Sequence, residues 1–113
     1  MKRNPRQKNN GHLDFIRGLP CCVCGDNTST EAAHVRMPDP TIAKPLTGIA
    51  IKPDDKFTVP LCGRHHRAQH QTKERMFWDW WGTDPVKLAL ALYAVSGDHE
   101  LGERIALRMF RDD

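Results

Sequence analysis

A chain of 113 residues with a formal charge of +3 and 39 % hydrophobic residues reads as one small domain with a modest core. No apolar run is long enough to span a membrane, and no secretory or lipidation segment is evident, so the expectation is a soluble cytoplasmic protein. The mild basic excess permits an anionic partner without requiring one.

Residues 1–11 (MKRNPRQKNNG) carry four basic residues and no acid, the composition of a flexible basic tail. Such a tail is either solvated disorder or an arm that seeks phosphate. His12 to Leu19 reads as a short helix with Leu13, Phe15, Ile16 and Leu19 apolar, stopped by Gly18 and Pro20. Next comes Cys21-Cys22-Val23-Cys24-Gly25. Cys21 and Cys24 have the two-residue spacing of a zinc half-site, and the following glycine allows a tight knuckle turn. Cys22 is left over as a packed thiol. Disulfides are not expected in the absence of a secretory segment. After a polar turn over 26–30, Glu31 to Arg36 reads as a short strand, with Ala32 and Ala33 small enough for close packing behind it.

Pro38, Pro40, Pro45, Pro53 and Gly48 make 37–53 a long loop containing Lys44 and Lys52. Residues 52–56 form a charged turn, and Phe57 to Leu61 the second strand of a hairpin, running into Cys62. Cys62 and His65 repeat the half-site spacing. With Cys21 and Cys24 they complete a tetrahedral Cys3His zinc site. A structural zinc would contribute on the order of 10–16 kcal/mol of apparent binding energy to folding. His66 and His70, four apart on the helix that Gly63 begins, project from one face, about 100° round from His65. They are either exposed polar groups or a clamp for a divalent ion.

Beyond Thr72 the chain turns helical. Phe77, Trp80 and Trp81 form an i, i+3, i+4 stripe expected to pack in the core, with base stacking by one tryptophan as the other reading. Gly82 stops that helix, Thr83 or Asp84 caps the next with Pro85 in its first turn, and Asp98 opens a last helix to about Arg111. These helices over 82–113 either complete the monomer core or supply a face for a protein partner or homodimer.

The order Cys-x2-Cys, strand histidine, loop, second strand, Cys-x2-His and histidine-bearing helix resembles the HNH, or ββα-metal, nucleases. The strings Glu31-Ala-Ala-His34-Val-Arg36, Lys52-Pro-Asp-Asp55 and Pro60-Leu-Cys62-Gly-Arg-His65-His66-Arg-Ala-Gln-His70 resemble small phage and prophage HNH proteins related to the RecA-dependent nuclease Ref. The likeness covers about residues 12–85. It implies an α+β fold with a zinc-stabilised ββα-metal core over 12–81 and metal-dependent cleavage of DNA. It also implies His34 as general base, Asp55 in the place of the central polar residue, and His66 and His70 as ligands of a catalytic Mg2+, Mn2+, Ni2+ or Zn2+. Many HNH enzymes carry a metal-binding Asp or His where this chain has Ala33, so Glu31, Asp54, Asp55 or water must finish the metal site. Histidine is suited to proton abstraction near neutral pH, and a divalent ion to neutralising phosphoryl charge. Arg36, Arg64 and Arg67 are candidate phosphate contacts or solvated surface charges. The competing readings are a non-catalytic zinc-stabilised nucleic-acid-binding or adaptor module, which Ala33 keeps open, and a zinc ribbon used for protein contacts.

Overall fold

The computed structural model describes residues 8–38 and 54–111. Expectations for the tail over 1–7 and for 39–53, including Lys44 and Lys52, lie outside the described residues. The first helix, α1, runs Asn10–Arg17. It starts two residues before the expected His12, so that residues 10 and 11 belong to the helix and not to the tail, because Asn9 is its N-cap and accepts from His12 N–H at 3.0 Å. Its inward face is His12, Phe15 and Ile16.

The knuckle follows. Gly25, at φ 79°, donates to Cys21 O at 2.8 Å. This is a left-handed turn that suits glycine. Cys22 N–H donates to Pro60 O at 3.0 Å and ties the knuckle to the second strand.

Strands β1 (Thr30–His34) and β2 (Thr58–Cys62) form a two-stranded antiparallel sheet. Thr30 pairs with Cys62, Ala32 with Pro60 and His34 with Thr58. Both strands are edges, so Pro60 withholds no essential ladder donor. Every residue of β2 is buried. Since alternate side chains point to opposite faces, β2 is covered on both. The helices that pack on it are α1, α2 (Gly63–Gln71) and α4 (Pro85–Ala94). The turn before β2 closes through Phe57 N–H to Asp54 O at 3.0 Å and Thr58 Oγ1 to Asp55 O at 2.8 Å.

Helix α3 (Glu74–Trp81) ends at Gly82, φ 67°. Its packing face differs from the expected stripe. Trp78 is buried at 1 % exposure, whereas Trp80 is 81 % exposed. The cause is Glu74. Its Oε1 accepts from Arg36 and Met37 N–H, both at 2.8 Å, and its Oε2 from Gln69 Nε2 at 3.2 Å. These bonds turn the first residue of α3 inward at the end of β1. The positions three, four and seven further on then face in as well: Phe77, Trp78 and, in part, Trp81.

Asp84 caps α4 through Val86 and Lys87 N–H, with Pro85 in the first helical turn. Gly97, at φ 94°, lies in the turn to α5 (His99–Arg111). Helices α4 and α5 pack on each other, and Val86, Leu88, Ala89, Leu92 and Ala106 join the common core. Both helices thus contribute side chains to the core. Gly102 permits the approach of α5 to α1, since a Cβ there would lie 2.6 Å from Phe15 Cζ. Among the described residues no helix is long and apolar enough to cross a membrane.

Candidate metal centre

Cys21 and Cys24 come from the knuckle, Cys62 from the end of β2 and His65 from the first turn of α2. Their ligand atoms all lie within 4.8 Å of one another. Cys62 Sγ to His65 Nδ1 is 3.3 Å, Cys21 Sγ to His65 Nδ1 is 3.9 Å, and Cys24 Sγ to Cys62 Sγ is 3.9 Å. Zinc with bonds of about 2.0–2.3 Å to nitrogen and sulfur gives tetrahedral edges of roughly 3.3–3.8 Å. The cluster thus fits a metal ion such as zinc, bound to His65 through Nδ1. The Trp81 ring meets the His65 imidazole edge-on at 5.5 Å and holds it in place.

The protonation chemistry separates Cys22, Cys24 and Cys62. Burial pushes Cys22 well above the ordinary thiol range, which suits an inert core group. Burial also pushes Cys24 up, to about 11. For Cys62 burial acts in the same direction, but the backbone N–H groups of His65 and Arg64 and the neighbouring thiols more than offset it, and its pKa is lowered. Cys62 is the N-cap of α2, where the helix end favours a thiolate. Burial, then the Arg64 charge, lowers His65 and keeps it the neutral imidazole a metal needs.

The remaining histidines of α2 face elsewhere. His66 Nε2 lies 3.2 Å from His70 Nε2, with ring centroids 4.8 Å apart. This matches the edge of about 3.3 Å expected for two imidazoles on one metal. His66 Nδ1 donates to Glu31 Oε1 at 2.7 Å. Burial lowers His70, reinforced by the charges of His66 and Arg36 and opposed by Glu74.

His34, on β1, is joined to Asp55 by a 2.9 Å contact between Nε2 and Oδ1. Asp55 is 1 % exposed, and its Oδ2 accepts from Asn9 N–H at 2.7 Å. Asp55 therefore touches His34 with one carboxylate oxygen and the start of α1 with the other. Ala33, between Glu31 and His34 in the chain, is fully buried and offers no ligand.

The candidate arginines divide. Arg36 bears electrostatically on His70, whereas Arg64 bears on His65 and Asp26 beside the Cys3His cluster. Arg67 reaches the first turn of α2 near Gly63. Of two cavities, the first lies away from the Cys3His cluster and the second opens against His65. The first, of about 420 Å3, is lined by Met37, Arg75, Trp78 and the 82–86 segment. The other, of about 340 Å3, lies between α2 and α3 and is lined by Ala68, Met76, Phe77 and the two exposed tryptophans.

Sequence spacing found the four clustered ligands. It placed Glu31 only among several possible completing ligands and missed Glu74 as the anchor between β1 and α3; neither contact has a local sequence signal.

In comparison with known proteins, the family described as "Protein of unknown function (DUF968)" matches residues 1–94. No curated protein and no solved structure matches.

Proposed function

The chain belongs to the DUF968 family, and we propose that it is a metal-dependent endonuclease of HNH type acting on DNA, with a structural zinc in the Cys21/Cys24/Cys62/His65 cluster. The observation that carries this reading is the 2.9 Å bond between His34 Nε2 and the buried Asp55 carboxylate. A carboxylate only accepts, so the contact places the ring proton on Nε2 and makes Nδ1 the basic atom. His34 takes a proton from the attacking water, and Asp55 stabilises the imidazolium that results.

His66 and His70 are the residues that would hold a catalytic divalent cation. Its chemistry there is to offset charge on the phosphoryl and leaving oxygens. Arg36, close enough to His70 to influence it, is the best placed of the arginines to hold the substrate phosphate. Arg67 and Arg64 would extend that contact along the backbone, positioning the strand without reading its sequence.

A second reading is a non-catalytic zinc-stabilised nucleic-acid-binding module. Among the described residues the Cys3His cluster is the one group of three or more ligands that converges on a point, and Ala33 supplies nothing to the histidine pair. The deciding experiment is nicking of supercoiled plasmid by zinc-loaded protein with added Mg2+, Mn2+ or Ni2+. The nuclease reading expects cleavage that His34→Ala abolishes while circular dichroism and zinc content stay unchanged. Salt-sensitive DNA binding without cleavage under any of these metals would favour the module instead.

A further inference from the structure

The histidine pair has a feature that ligand spacing alone does not supply. His66 uses both ring nitrogens: Nδ1 on Glu31 Oε1 at 2.7 Å, and Nε2 toward His70 Nε2 at 3.2 Å. A carboxylate accepts and cannot donate, so the Glu31 contact requires the proton on Nδ1. In the neutral ring this leaves the Nε2 lone pair aimed at the position a shared cation would take. The carboxylate does not sit on that side of the ring and is not a direct ligand. It stands behind the imidazole, in the arrangement by which a carboxylate fixes the tautomer and raises the basicity of a metal-binding histidine.

The fold builds this contact deliberately. Glu31 leans over the first turn of α2, where Gly63 leaves room: a Cβ at 63 would come within 3.3 Å of Glu31 Oε2. A helix N-terminus favours a carboxylate. The β1–β2 register then fixes the height of Glu31, opposite Leu61 and one step from the Thr30–Cys62 pair. The same strand end that carries Cys62 into the zinc cluster therefore sets the reach of Glu31 to His66.

We infer that Glu31 is a positioning residue that holds His66 as the Nδ1–H tautomer, so that His66 Nε2 and His70 Nε2 together bind a divalent cation. The inference rests on the reading of that pair as a cation site. It is tested on zinc-loaded protein in two ways. Long-range proton–nitrogen NMR of the ring reads the His66 tautomer with no second ion present. Calorimetric titration with Ni2+ or Mn2+ then reads the affinity for that ion.

The wild type should show Nδ1–H at His66. Glu31→Gln, which keeps the shape of the side chain, should populate the Nε2–H form and lose about 10- to 100-fold in affinity, with an unchanged melting temperature. His70→Ala should lose the ion and keep the tautomer. Equal affinity in wild type and Glu31→Gln would overturn the role of Glu31 and leave the nuclease reading standing. Absence of any second ion in the wild type would sink the cation site, and the nuclease reading with it.

Discussion

His65 and His66 are neighbours in the chain and belong to different chemistry: His65 Nδ1 lies 3.3 Å from Cys62 Sγ, and His66 Nδ1 lies 2.7 Å from Glu31 Oε1. The helix makes this possible, because consecutive residues are about 100° apart. His65 is turned into the core and buttressed by Trp81, while His66 lies over the edge of β1. One turn of α2 thus belongs at once to the scaffold cluster and to the proposed catalytic pair. Damage to the first should cost folding, and damage to the second should cost cation binding alone.

The thiols give the first test of that division. Cys22 and Cys24 are two apart, both pushed up by burial, yet only Cys24 has its sulfur in the cluster. Cys24→Ala should lose the tightly bound ion and most of the cooperative thermal transition, since binding energy on the order of 10 kcal/mol supports folding in such sites. Cys22→Ala removes a buried sulfur and should cost about 1 kcal/mol while retaining one ion per chain. Metal content by mass spectrometry and thermal melts read both. Loss of metal in Cys22→Ala would mean that the ligand set is wrong.

The tryptophans test the phase of α3. Trp78 is 1 % exposed and Trp80 is 81 % exposed. Trp78→Ala should destabilise by about 3–5 kcal/mol, the range for truncating a buried aromatic. Trp80→Ala should change stability by no more than about 0.5 kcal/mol. Urea unfolding distinguishes them, and comparable losses would restore the stripe expected from spacing alone.

That stripe shows where sequence reading stops. Spacing alone located the Cys3His set, because metal ligands must meet a fixed geometry and their local intervals carry it. The two strands, the start of α2, the Asp84 cap and Pro85 were legible for similar reasons: each has a local chemical marker. The helical phase of α3 was not, since Phe77, Trp78, Trp80 and Trp81 satisfy two apolar faces equally well. The choice falls to Glu74, whose partners are the Arg36 and Met37 amides far away in the chain. Glu31 escaped for the same reason. Its partner His66 is 35 residues distant, and only the strand register brings them together.

Gly102 carries a third prediction, in which two effects oppose. Alanine in a helix interior is favoured over glycine by about 1 kcal/mol. Against this, the new Cβ would stand 2.6 Å from Phe15 Cζ and 3.1 Å from Leu19 Cδ2. Overpacking of a fitted core costs about 1–3 kcal/mol. Phe15 is 3 % exposed and Leu19 is 1 % exposed, so neither has open space to retreat into. Gly102→Ala should therefore be destabilising on balance, by about 1–2 kcal/mol in urea unfolding. A neutral or stabilised variant would mean that α5 packs less tightly on α1 than this geometry requires.

His12 sets the expected response to acid. It is 1 % exposed, its Nδ1 is 2.8 Å from Ser96 Oγ, and its ring packs between Phe15 and Tyr93. Burial lowers its pKa below the ordinary 6.5, and the nearby Asp55 charge offsets part of that shift. The unfolded chain therefore takes up a proton at a higher pH than the folded one. Above about 6.5 His12 is neutral in both states and contributes no slope. As pH falls through 6.5 toward the lower folded value, the unfolded state binds the extra proton and stability drops, by at most about 1.4 kcal/mol per pH unit for one group. His12→Asn should be less stable at pH 7.5, having lost ring packing, yet show a shallower decline between pH 7 and 5. Urea midpoints of zinc-saturated protein across that range measure the slope. An equally steep decline in His12→Asn would move the acid sensitivity to other groups and leave His12 as a packing residue.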